Sequence, residues 1–88
     1  MHFKYLPEGV CSRQIDLDID DNDVISNVSF TGGCNGNLKA ISKLVDGMKV
    51  DDICSVLSGN TCGARPTSCA DQFSKACLAA RRERNAKA

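Results

Sequence analysis

Six cysteines, at positions 11, 34, 54, 62, 69 and 77, are the residues of this chain with the most chemistry to offer. A cysteine thiolate ligates soft metal ions, exchanges with disulfides and attacks electrophiles. The six stand in two kinds of surroundings. Cys54 follows Ile53 in a stretch where Val50, Ile53 and Leu57 recur at helical spacing, and Cys77 shares a helical face with Phe73, Ala76 and Ala80. A thiol in such a row packs as a small hydrophobe, so both read as core. Cys11, Cys34, Cys62 and Cys69 instead lie near glycine, asparagine, serine or proline, in loops or at element ends. Cys34 precedes one expected helix, and Cys69 falls in the first turn of another. The free N–H groups and positive potential of a helix start favour the thiolate form.

Four thiolates can hold a tetrahedral zinc ion or an iron–sulfur cluster, and the candidate ligands are Cys11, Cys34, Cys62 and Cys69. Spacing alone does not decide the matter. Zinc ribbons and knuckles use closely spaced cysteine pairs, whereas a whole expected hairpin separates Cys11 from Cys34. A redox dithiol of Cys62 with Cys69, or of Cys34 with Cys69, is one alternative, and unpaired structural thiols are another. A third reading falls on the turn "TGGCNGN", residues 31 to 37. There the backbone N–H groups of Gly32, Gly33, Asn35, Gly36 and Asn37 would receive the phosphate of a nucleotide. The turn has neither the dinucleotide fingerprint nor the Gly-Lys-Ser/Thr of a Walker loop, and a plain strand-to-helix turn is the simpler account of its glycines.

Two other features are weaker. "DLDIDDND", residues 16 to 23, has the aspartate spacing of a calcium loop, but Asp21 stands where that loop needs glycine and Asn27 where it needs glutamate. Alternation with Leu17 and Ile19 explains these aspartates as the solvated face of a strand. The single histidine, His2, lies at the start of the chain, where fraying is expected. No Ser-His-Asp or Cys-His pair is evident.

Short elements must position these residues. "HFKYLPEG" reads as a short strand ended by Pro7 and Gly9. "RQIDLDID" alternates, with Ile15, Leu17 and Ile19 facing one way. After the turn formers "DDND", "VISNVSF" reads as a second strand with Val24, Ser26, Val28 and Phe30 on one face, which makes a β-hairpin. Leu38, Ile41, Leu44, Val45 and Met48 then recur at helical spacing, with Gly47 as the stop. A second helix covers "VDDICSVLSG" and ends at Gly59. A third starts at an N-cap Ser68 with Asp71 three residues on, a capping-box pattern, and its basic end "RRERNAKA" is expected to fray. The order predicts one α+β domain over residues 1–88, its core over about 5–80. Two or three antiparallel strands would be covered on one face by about three helices.

The totals bound the rest. The chain has 88 residues and no net charge, with 11 acidic and 11 basic side chains. General nucleic-acid binding would need a basic excess, and base stacking would need more than three phenylalanines and one tyrosine. A domain this small buries a modest core, so a metal, a disulfide or a second chain would help it. An exposed edge on so small a sheet also points to a homodimer. The start "MHFKYLPEGVCSRQ" does not read as a signal peptide, and no stretch approaches the roughly 20 apolar residues of a membrane span. The expected compartment is the cytoplasm, where thiols stay reduced.

"LPEGVCS", "GGCNGNLKAISKLVDGM" and "CGARPTSCADQ", in that order, resemble the TSCPD-domain family. The motif that gives the family its name matches Thr67-Ser68-Cys69-Ala70-Asp71, with alanine where the family usually has proline. That departure is mild, because proline is tolerated in the first helical turn. The resemblance runs from about Tyr5 to Ala80 and is closest to small stand-alone members marked by four cysteines. Those positions match Cys11, Cys34, Cys62 and Cys69. A related domain occurs near the C-terminal end of adenosylcobalamin-dependent ribonucleotide reductases. The resemblance therefore implies a reductase-related accessory module, with a partner or nucleotide ligand from nucleotide metabolism. It does not imply the reductase activity, which needs a large barrel and radical chemistry.

Overall fold

A computed structural model describes residues 1–7, 10, 12–32, 35–58 and 69–87, with 35–37, 69 and 87 as backbone alone. Three strands come first: β1 (His2–Tyr5), β2 (Ser12–Ile19) and β3 (Ile25–Gly32). Three helices follow: α1 (Asn35–Val45), α2 (Val50–Leu57) and α3 (Cys69–Lys87). The strands form one antiparallel sheet in the order β1-β2-β3, so the fold is α+β as expected.

The alternation in β2 sets the layers. Ile15, Leu17 and Ile19 point into the core, while Gln14, Asp16 and Asp18 take the other face. The β2–β3 turn is held by Asp20, whose Oδ1 accepts the N–H groups of Asn22 at 2.8 Å and Val24 at 2.9 Å. Those backbone donors, Val24 first, lower the Asp20 pKa.

In β3 the expected facing is only half right. Ile25 is buried in place of Val24, and Val28 and Phe30 pack on the core from the next turn of the pleat. The register explains this. Asp18 pairs with Ser26 but Asp16 pairs with Ser29, so Asn27 and Val28 together oppose Leu17. This is a β-bulge with Asn27 in the left-handed region, φ 51°. The inserted residue reverses the parity of the strand, which simple alternation cannot anticipate. A second irregularity, at Arg13, turns Ser12 inward.

The helices close over this face. α1 packs on β3 through Leu38, Ile41 and Val45. Leu44, expected on that inner face, is 75% exposed. It stands about 100° around the helix from Val45, beyond the stripe that meets the strand. Gly47, at φ 85°, ends the helix as expected, and its N–H donates to the Ile25 carbonyl. The Ile25 N–H in turn donates to the Met48 carbonyl. The start of β3's outer edge is thus paired, and α1 flanks the remainder. β1 is the other edge strand.

In α3, Phe73, Ala76, Cys77 and Ala80 are fully buried, the face expected from their spacing. Phe73 rests on Phe30 with ring centroids 5.7 Å apart. The helix continues through the basic segment to Lys87, where its arginines find partners. Arg84 donates to the Asp20 carbonyl, and Arg81 reaches Asp51 at 2.9 Å and Asp23 at 3.6 Å. Among the described residues, no helix is long and apolar enough to cross a membrane.

Candidate functional site

Cys11, Cys34, Cys62, Gly33 and the N-cap Ser68 lie outside the described residues, as does Gly59. Cys69 is the first residue of α3, and residues 35–37 are the first turn of α1. Gly32 closes β3 at φ 79°. What can be read is where the described residues bounding each cysteine lie.

They meet at one end of the molecule. Ser12, next in the chain to Cys11, pairs with Gly32, two residues before Cys34. This is the end of the β2–β3 ladder away from the hairpin turn. α3 runs along the sheet from this end to the turn, since Phe73 sits on Phe30 and Arg84 reaches Asp20. From Phe73 back to Cys69 is about 6 Å of helix. From Phe30 on to Gly32 is about 6.6 Å of strand. The start of α3 is therefore level with the Ser12–Gly32 pair. The segment holding Cys62 is bounded at the same place. Its preceding residue Ser58 hydrogen-bonds through Oγ to Ser74 Oγ at 2.9 Å, and its following residue is Cys69 itself.

The interior changes character at this end. Elsewhere it is aliphatic and aromatic. Here it is polar: Ser12, Asp71, Gln72 and Ser74 are all the buried polar or charged residues among those described. Burying a polar side chain costs free energy unless it is bonded, and these are bonded. Ser74 Oγ donates to the Asp71 carbonyl at 2.7 Å while accepting from Ser58. Asp71 also meets Lys75 Nζ at 3.4 Å. The sequence reading gave Asp71 a capping role and passed over Ser12, Gln72 and Ser74. For Gln72 and Ser74 the one signal is that, with Asp71, they flank Phe73 on a helix whose inner face is otherwise apolar; Ser12 carries none.

The two remaining cysteines stand apart from this group in chemistry. Cys77 is fully buried, and burial, reinforced by the neighbouring Cys54, pushes its thiol up to about 12. Cys54 is half-buried, its pKa also raised by burial, and its Sγ approaches the Ser74 carbonyl at 3.7 Å. Both remain protonated thiols at neutral pH, as core residues should.

A second polar cluster lies on the open face of the sheet. His2 is held in β1 and not frayed. Its Nδ1 lies 2.9 Å from Asp18 Oδ1 and its Nε2 3.1 Å from Asp16 Oδ1. Gln14 donates to the other oxygen of Asp16 and Asn27 to that of Asp18. Hydrogen bonds to Asp18, then Asp16, raise the His2 pKa, whereas Asn27 and then His2 lower that of Asp18. With the His2 ring protonated, each carboxylate oxygen has a donor. Among the described residues, no group of three or more His, Cys, Asp or Glu side chains is placed to hold a metal ion.

Comparison with known proteins bears on the same residues. A family model described as the TSCPD domain matches residues 1–80, which includes β1 as well as the segment from Tyr5 onward. No curated protein and no solved structure gives a significant match.

Proposed function

The chain belongs to the TSCPD-domain family, and on that premise we propose that it is a small accessory or binding module. In this reading Cys11, Cys34, Cys62 and Cys69 together hold one structural zinc ion or iron–sulfur cluster. The observation that carries the reading is the meeting of chain ends described above: the Ser12–Gly32 pair, Ser58 against Ser74, and Cys69 at the start of α3. Four thiolate donors suit either group, and the start of α3 favours ionisation of Cys69. When bound, the group would tie β2, α1 and α3 together, a cross-link that a core this small benefits from. Kinship with the reductase-related domains makes a nucleotide-metabolism protein the first partner to seek.

Metal analysis of anaerobically purified protein tests the reading. Zinc or iron at near-stoichiometric level is expected, with loss of folded signal in chelator. Protein free of both metals, with folding unchanged by chelator, removes it.

The place of Cys69 supports a second reading, a redox dithiol of Cys69 with Cys62 or Cys34. It requires a reversible disulfide and a thiol that alkylates readily at neutral pH in metal-free protein. Four inert thiols in such protein would rule it out.

A further inference from the structure

Between the edge strand β3 and α1 runs a groove of about 450 Å³, within the size range of sites for small organic ligands. Its floor is apolar: Val28 and Phe30 from the strand, and Leu38 from the helix. Its wall is cationic. Lys39 and Lys43 both line it, and four residues apart they project from the same side of α1. Among the described residues no carboxylate lines the groove, and neither lysine has an ion-pair partner. Ser42 Oγ, also at the wall, donates to the Leu38 carbonyl at 2.8 Å, which leaves its lone pairs free to accept.

The charge is out of balance with the chain as a whole. A chain with equal numbers of acids and bases here sets two cations beside an apolar floor with no acid between them. Exposed lysines usually scatter among acids on a solvated face, as Lys75 does with Asp71. Two ammonium groups on one helical face suit a dianion better than a single charge, and the floor offers a ring or short apolar body a place out of water.

We propose that this groove binds a small phosphate ester, its apolar or aromatic body on Val28, Phe30 and Leu38 and its phosphate between Lys39 and Lys43. The groove reaches Gly32 at the cysteine end, but the proposed contacts are made by side chains of β3 and α1, not by the backbone of the 32–37 turn. The two lysines are exposed, so affinity is modest and salt-sensitive.

The test is a titration of the full-length protein, followed by backbone amide NMR, with 1-naphthyl phosphate, 1-naphthol and inorganic phosphate. Shifts at residues 28–30 and 38–43 with 1-naphthyl phosphate, and affinity about tenfold above that of either fragment, support the site. The double variant K39Q/K43Q keeps the surface position of both side chains and should fold normally. It should lose about tenfold in affinity for the ester and little for the naphthol. Unchanged affinity in the variant, equal binding of 1-naphthol, or shifts confined to other residues would overturn the proposal. Metal content measured on the same samples keeps this outcome distinct from the fate of the four-cysteine reading.

Discussion

The two ends of the sheet are built from different materials. At the hairpin turn the chain closes on itself with its own charges. Asp20 caps the turn, Arg84 donates to its carbonyl, and Arg81 links Asp23 to Asp51. Arg84 also meets Asp23 Oδ1 as a charge contact without hydrogen-bond alignment, so that buried oxygen is balanced by charge alone. At the far end β2 and α3 begin, β3 ends, and the buried groups are polar. One end is finished by local electrostatics. The other brings together pieces of chain that are distant in sequence, the Ser12–Gly32 pair, Ser58 and the start of α3, and it is there that the proposed bound group would do the fastening.

Removing one thiol is the strongest way to break that contrast. Cys11→Ser should abolish metal binding and cooperative unfolding together, because structural zinc contributes on the order of 10 kcal/mol to folding. Cys54→Ser should change stability by about 1 kcal/mol or less. Parallel metal analysis and thermal unfolding of the two variants check this. Equal effects would show that the far end needs no group of its own.

Phe73→Ala acts between the two ends. It removes the ring that sets α3 on Phe30 and should cost about 3–5 kcal/mol in denaturant unfolding. If metal content then falls as well, the alignment of α3 governs the far end. If it stays, the cysteines hold their arrangement without it.

Arg84→Ala attacks the turn end. It strands the Asp23 oxygen and frees the Asp20 carbonyl, at a cost of about 1–2 kcal/mol. Metal content should not change, and high salt should narrow the gap to wild type.

The smallest effect belongs to His2 on the open face. Its pKa is raised in the fold, so its contribution is complete below 6.5 and is lost as pH rises through the raised value. The Asp18 pKa is lowered, so that contribution is present above 3.8 and is lost as pH falls through the lowered value. The unfolding temperature of His2→Ala should therefore fall below wild type at mildly acidic pH and converge with it at high pH. A constant difference across that range would mean the ring acts by packing alone.

Legibility in the sequence followed the same division. Local periodicity exposed the inner face of β2, the buried row of α3 and the Gly47 stop, because each depends on neighbours within a turn or a pleat. It missed the Asn27 bulge, which is set by pairing with β2, and the exposure of Leu44, which is set by how far α1 wraps β3. His2 looked frayed because its partners, Asp16 and Asp18, lie across a strand pairing and not beside it in the chain. Cys77 is buried as its helical spacing predicts, and Cys54, read as core, is half-buried. The polar interior at the far end was barely visible, since Ser12 is turned inward by the irregularity at Arg13, which is set by pairing with β3.

The Gly47–Met48 segment on the edge of β3 has a consequence for assembly. With that edge paired at its start and flanked by α1, β1 is the strand where a second sheet could add. A sheet that can grow at one edge pairs with a copy of itself once, about a two-fold axis, and then has no edge left to offer. Strand addition at β1 would join two copies, while on the β3 side the turn that ends α1 already occupies the backbone groups of Ile25.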